Sequence, residues 1–180
     1  MFRIESLLSA RLFASPQIVG IRIYFISNLS GHLSLYGMDY SGSVPEPLLP
    51  PHIALQNPHL LDGLPFTVFP KLGKIVVMLD HDGDENYLPM AVPLVGGFPE
   101  PLFGETFQGQ RVHMLRCDLE ENLAWFAAES GSEQNITSYR ANLETGEMVC
   151  LGSSPYGAAP AAESADHQKT VIADSYTTGD

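Results

Sequence analysis

The sequence is poor in cysteine, tryptophan and basic residues, and it has no long unbroken apolar run. Two cysteines, Cys117 and Cys150, cannot make a disulfide framework, and each falls in or beside an apolar run, where buried free thiols are common. No apolar run approaches the ~20 residues that a membrane helix needs, so a helical span is excluded. The first twenty residues, MFRIESLLSARLFASPQIVG, are interrupted by Arg3, Glu5 and Arg11 and so lack the apolar centre of a signal peptide. The expectation is a soluble, cytoplasmic chain with no membrane partner. Nine Lys and Arg face 21 Asp and Glu, for a net charge of −12. Residues 1–60 are balanced, with three of each sign, and residues 61–180 hold six basic and eighteen acidic residues. Such a surface repels phosphate, which argues against a nucleic-acid partner.

What is present is turn chemistry between apolar segments. Sixteen Gly and fourteen Pro punctuate a chain that is 44% hydrophobic, which reads as many short strands in one folded domain. The stretch Leu79–Leu102, LDHDGDENYLPMAVPLVGGFPEPL, has an earlier counterpart in Ile26–Leu48, ISNLSGHLSLYGMDYSGSVPEPL. Both end in Pro-Glu-Pro-Leu, at Pro45–Leu48 and Pro99–Leu102. The turn glycines Gly31, Gly83, Gly131 and Gly179 are 52, 48 and 48 residues apart, and so are the strand residues Ile23, Ile75, Leu123 and Val171. Two markers in one register define a unit of about fifty residues with several strands, which fits a propeller blade. Long 3.6-residue periodicity is missing, so helical repeats do not fit. A β-sandwich is the alternative, because its turns recur at similar spacing.

The expected architecture is all-β: a partial β-propeller of three full blades and part of a fourth, each a four-stranded antiparallel sheet. Residues 1–14 form a lead-in, read as helix-like over 3–14 or as an irregular lead-in with a short strand, and Ser15-Pro16-Gln17 is a turn. Residues 15–180 form the propeller, with blades at about 15–60, 61–105, 106–155 and an incomplete 156–180. Pro89 and Pro93 place the strand Tyr87–Leu94 at or near a sheet edge. The fourth unit begins at the Ser164–Gln168 turn and continues through Thr170–Ala173. Asp180 falls in mid-hairpin, and a closed propeller takes about four to eight blades, so the chain reads as a fragment.

The two quoted stretches resemble the blade repeat of the prolyl oligopeptidase family. Its elements are an acidic or Asn turn residue, Gly, a central aromatic, and Gly-Gly-x-Pro-x-x-Leu. The resemblance is to the N-terminal propeller of dipeptidyl aminopeptidase and acylaminoacyl-peptidase enzymes, and TolB-type propellers share much of the pattern. In the third unit, Thr145-Gly146-Glu147-Met148 replaces the Gly-Gly-x-Pro ending. The resemblance implies a serine peptidase (a hydrolase) whose propeller gates peptide substrates for a C-terminal α/β-hydrolase domain. That domain and its Ser, Asp and His are absent from this chain. A nucleophile elbow needs Gly-x-Ser-x-Gly, and Gly131-Ser132-Glu133 and Gly152-Ser153-Ser154 lack the second Gly. No catalytic, cofactor-binding or metal-binding residue is therefore assigned, and no cofactor is expected. The implied partners are the hydrolase domain and peptide substrates. The alternative function is a non-catalytic TolB-like propeller that binds other proteins.

Several residues invite a site. Asp80, Asp82 and Asp84 alternate as calcium ligands do, but the Gly comes too early for an EF-hand, and a solvated hairpin turn with Gly83 at positive φ fits better. Asn135-Ile136-Thr137 matches a glycosylation acceptor, although Ile136 reads as strand. His32, His52, His59, His81, His113 and His167 are scattered without metal-ligand spacing. Trp125, Phe126, Tyr24, Tyr36, Tyr87 and Tyr139 read as core packing. Arg22, Arg111 and Arg140 could line a channel and hold a substrate carboxylate, or could lie on the surface.

Overall fold

The computed structural model describes residues 11–60, 62–80, 83–132 and 134–174. Residues 3–10 of the lead-in, His81, Asp82 and Gly179 lie outside the described residues. Three four-stranded antiparallel meanders follow one another along the chain. The first holds β1 (Phe13–Val19), β2 (Arg22–Ser27), β3 (Ser34–Asp39) and β4 (Glu46–Pro47). The second holds β5 (Phe66–Phe69), β6 (Lys74–Leu79), β7 (Leu88–Pro93) and β8 (Glu100–Pro101). The third holds β9 (Gln110–Asp118), β10 (Leu123–Ser130), β11 (Ile136–Asn142) and β12 (Met148–Ser154). A two-stranded sheet, β13 (Ala159–Glu163) and β14 (Thr170–Ala173), begins the fourth. This is a partial β-propeller.

The repeat markers fall in corresponding elements, but the third blade is one residue out of phase: Ile75 faces the first blade, whereas in β10 Ala124 and Phe126, not Leu123, face the second. Gly31, Gly83 and Gly131 each sit in the hairpin between the second and third strands of a sheet, and Ile23, Ile75, Leu123 and Val171 sit in or at the start of a second strand. Gly31 and Gly83 have φ of 97° and 81°, the left-handed turn conformation that glycine adopts without a Cβ clash. Gly131 is absent from that region, so its hairpin shares the place but not the turn geometry.

Side-chain alternation along the second strands makes the sheets stack. In β6, Ile75, Val77 and Leu79 face the first blade, where they meet Tyr24, Ile26 and Leu35. Val76 and Met78 face the other way and meet Val112, Met114, Ala124 and Phe126 of the third blade. The middle blade is thus buried on both faces, which explains why Lys74–Leu79 reads as a nearly unbroken apolar run. The first strands of neighbouring blades also meet. The Gln17 side chain donates from Nε2 to the Phe66 carbonyl at 2.9 Å, and its Oε1 accepts from the Val68 N–H at 2.9 Å. An amide side chain here does for β5 what a further strand would do.

Three expectations need correction and a fourth holds. Ser15-Pro16-Gln17 is no turn between elements but a bulge inside β1, where pairing with β2 shifts between Ala14 and Gln17 and Ser15 takes φ 50°. The strand containing Pro89 and Pro93 does lie near a sheet edge: it is the third of four, beside the two-residue β8, and is paired on both sides. Leu94 N–H donates to Gly73 on the β6 side, and Pro89 accepts from Leu102 on the β8 side. By alternation, the nitrogens of both prolines face the short outer strand, where a missing donor costs little. The fourth unit starts earlier than the Ser164 turn, with β13. Cys150 is exposed on an outer strand, whereas Cys117 is half-buried.

Two close approaches depend on glycine. Gly96 has φ 88°, and a Cβ there would lie 2.9 Å from Leu48 Cα, while Gly97 N–H donates to the Leu48 carbonyl at 3.0 Å. Gly96→Ala is expected to destabilise the fold by roughly 1–3 kcal/mol, read as a lower urea midpoint. Gly83→Ala, with nothing within 4 Å of the added Cβ, should cost less than Gly96→Ala in the same titration.

Candidate functional site

In each full blade the first–second and third–fourth turns lie at the same end of the sheet. One hydrogen bond ties them together three times: Tyr40 N–H to Ile21 O at 2.7 Å, Leu94 N–H to Gly73 O at 3.3 Å, and Leu143 N–H to Asn122 O at 2.9 Å. Neighbouring blades join at this end too. Lys71 Nζ reaches Glu120 Oε2 at 2.7 Å, and His167 Nε2 reaches Glu121 Oε2 at 3.3 Å. These turns form one continuous surface, here called the paired-turn face.

The most elaborate polar arrangement lies between the third blade and the β13–β14 hairpin. Trp125, on the β10 face opposite Phe126, is 1% exposed, with the Arg116 guanidinium 3.9 Å above its ring. Glu163, whose side chain is 2% exposed, accepts from Arg140 Nη1 and from the Thr170 hydroxyl through Oε1. Its Oε2 lies 3.5 Å from Arg116 Nη2 and 3.1 Å from His167 Nδ1, the latter off the line of a hydrogen bond. Burial pushes the Glu163 carboxyl up, but the close approach of His167, the Arg140 charge and hydrogen bonds from Thr170 and Arg140 outweigh it and hold the group below the usual carboxylate range. Arg140 also donates to the His167 carbonyl at 3.1 Å, fixing a residue whose φ is 57°. Beside this cluster opens a cleft of about 210 Å3, lined by Glu121, Leu123, Arg140, Asn142, Glu147, Val149 and His167. Its basic groups are already matched by the chain's own carboxylates, so the cluster clamps one blade to the next.

The residues singled out in the sequence do not converge. Arg22 pairs with Glu46 at 3.0 Å on the paired-turn face, and Arg111 pairs with Glu85 at 3.1 Å near the opposite end. With Arg140 held by Glu163, each of the three cations meets a carboxylate of this chain. Of the acidic loop, Asp84 accepts from the Asn86 N–H at 2.9 Å, the pattern of an Asx turn, and Asp82 lies outside the described residues. Among the described residues there is no cluster of His, Cys, Asp or Glu with a metal-binding arrangement. His113 bridges Glu129 at 3.0 Å and the Asp62 carbonyl at 3.1 Å, and His52 lies near Phe98. Tyr24, Tyr36 and Tyr87 are buried, and Phe126 is wholly so; Tyr139 is half-buried against Phe107. Asn135 precedes β11, which contains Ile136 and Thr137.

The cysteines differ in chemistry. Burial pushes the Cys117 thiol up to about 11, against a weaker pull from Thr67. At pH 8 Cys150 is therefore expected to react with a disulfide reagent well before Cys117, giving one fast and one slow thiol in a timed titration. Equal rates would contradict the placement of Cys117 between blades.

No protein-family model matches the sequence, and no curated protein sequence matches it. Solved structures do. A puromycin-hydrolysing peptidase from Mycobacterium tuberculosis is similar at a TM-score of 0.57 and 14% identity, over 78% of this chain and 20% of that one. TolB from Acinetobacter baumannii is similar at 0.56 and 16%, over 89% and 37%. A chain of a nidogen/laminin complex is similar at 0.55 and 10%, over 92% and 57%. The chain thus spans between a fifth and somewhat over half of the structures it resembles. At these identities the likeness is one of fold. Among the described residues no helix is long and apolar enough to cross a membrane.

Proposed function

We propose that this chain serves as the propeller of a prolyl-oligopeptidase-type serine peptidase, admitting short peptides to an α/β-hydrolase domain and holding folded proteins out. The observation that carries this reading is the blade repeat itself. Its Gly-Gly-x-Pro ending in Val95–Leu102 builds the third–fourth turn of the second blade, with Gly96 and Gly97 set against Leu48. The similarity to part of a peptidase supports it. In this reading the chain supplies the entrance and the packing surface, and the nucleophile, base and oxyanion donors belong to the hydrolase domain.

A second reading is a non-catalytic propeller that binds other proteins. The similarity to TolB and the exposed apolar residues of the paired-turn face favour it. A fluorophosphonate probe separates the two. The peptidase reading expects the native protein or complex containing this chain to be labelled on serine and to cut short peptides while sparing folded proteins. Absence of labelling in a sample that retains a bound protein would replace the first reading with the second.

A further inference from the structure

The paired-turn face is divided in two along the blade order. Over the first and second blades its turns expose Ile21, Tyr40, Val44, Val95 and Phe98, with fractional exposures from 65% to 82%. These residues are drawn together by the Tyr40–Ile21 hydrogen bond and by Gly96 and Gly97 resting on Leu48. Isolated exposed apolar residues need no explanation, but several on adjoining turns of one face mark a contact surface. Among the described residues the hairpins between second and third strands, at the opposite end, contribute none of the large exposed apolar residues; Phe13 at the start of β1 and Leu64 and Tyr156 on the connections between blades are scattered there.

Charge divides the same face. The turns of the first two blades carry Asp39, Glu46 and Glu100 against Arg22, Lys71 and Lys74, which balance. The turns of the third and fourth carry Asp118, Glu120, Glu121, Glu144, Glu147 and Asp166, with Lys169 as the one Lys or Arg. Ser164 donates to Asp166 at 2.6 Å, which with the Gln168 N–H holds that carboxyl below its ordinary range, so it stays ionised at neutral pH.

We infer that the paired-turn face is a docking surface for a protein segment that presents an apolar cluster beside a run of Lys or Arg. The apolar cluster covers the turns around Val95 and Phe98, and the basic run lies over the acidic turns of the third and fourth blades. The charge complementarity selects this occupant. A nucleic acid, or a membrane with anionic headgroups, meets six carboxylates on the same face. This inference rests on the chain's being a partner-binding propeller, and it names the face and the chemistry of the partner.

The test uses a short synthetic peptide with Leu and Phe beside several lysines, a control with those lysines replaced by Glu, and phosphatidylcholine vesicles. Binding is read by calorimetry and by NMR shifts on the chain. The lysine peptide is expected to bind and to shift turn resonances of the paired-turn face, and the Glu control is expected to bind about tenfold more weakly or worse. Raising salt to about 1 M, where the Debye length is ~3 Å, should remove most of that difference. The variant V95S/F98S should weaken binding about tenfold, and E144Q/E147Q should weaken it severalfold and flatten the salt dependence. All four positions are exposed, so these variants should melt with the parent. The inference is overturned if neither peptide binds, if both bind alike, if the shifts fall on the opposite end, or if vesicles bind through Phe98 while the lysine peptide does not. A negative result here leaves the fluorophosphonate result untouched, so the two proposals fail separately.

Discussion

Phe126→Ala is expected to destabilise the protein by roughly 3–5 kcal/mol, enough to unfold a domain of ordinary marginal stability near room temperature. Phe126 is wholly buried at the centre of the contact between the second and third blades. Its ring meets Phe103 edge-on at 5.5 Å and Phe107 at 6.2 Å, and Phe107 meets Tyr139 at 5.6 Å. Truncation removes the transfer free energy of the ring and leaves a cavity that two β-sheets cannot readily close. Phe126→Leu, which keeps most of the volume, should cost much less. Chemical denaturation of the two variants gives the comparison. A loss under about 1 kcal/mol for Phe126→Ala would mean that the two sheets do not pack through this residue.

The second large effect is expected at Glu163. Glu163→Ala leaves Arg140, Arg116 and His167 around an empty place, and breaking a buried ion pair in this way costs roughly 3–5 kcal/mol. The loss should be local before it is global, because Glu163 fastens the β13–β14 hairpin to the third blade. Amide exchange should accelerate in Thr170–Ala173 while β5–β7 remain protected. The acid dependence follows from the direction of the shift. Glu163 has a folded-state pKa below its unfolded value, so it contributes stability above the unfolded value of about 4.3, and that contribution is lost as pH falls through the lower folded pKa. Glu163→Gln keeps the shape without the charge, and its stability should vary less with pH over that acid window. An unchanged acid limb would show that Glu163 is not the anchor of the hairpin.

Much of this fold was legible because the repeat is carried by residues with strong local preferences. The turn glycines and the β-branched run Lys74–Leu79 act within a few residues of themselves, so their spacing is preserved in the chain. What was not legible depended on distant partners. Phe13–Val19 hid behind Ser15-Pro16, which has the composition of a turn and becomes a bulge only because β2 is there to pair with it. Ala159–Glu163 has no β-branched or aromatic residue, and it becomes a strand against Thr170–Ala173. Pro89 and Pro93 marked a strand at or near an edge, but only the side to which their nitrogens point shows how that strand pairs on both sides. The cluster around Trp125 has no motif, since Arg116, Arg140, Glu163 and His167 come from three different elements and one hairpin. The apolar residues of the paired-turn face did leave a signal. Ile21, Val44, Val95 and Phe98 stand within two residues of turn glycines, where solvent-facing polar residues would be expected.

The central claim is that a unit of about fifty residues builds successive four-stranded sheets stacked face to face. Nuclear Overhauser contacts test it most directly. The account predicts cross-strand contacts between the second and third strands of each blade at Ile26–Leu35, Val77–Met90 and Phe126–Tyr139, together with contacts from the Gln17 side-chain amide to the Val68 backbone across the first two blades. Strand contacts that join β3 or β7 to a different blade, or an absence of any contact between Gln17 and Val68, would contradict it.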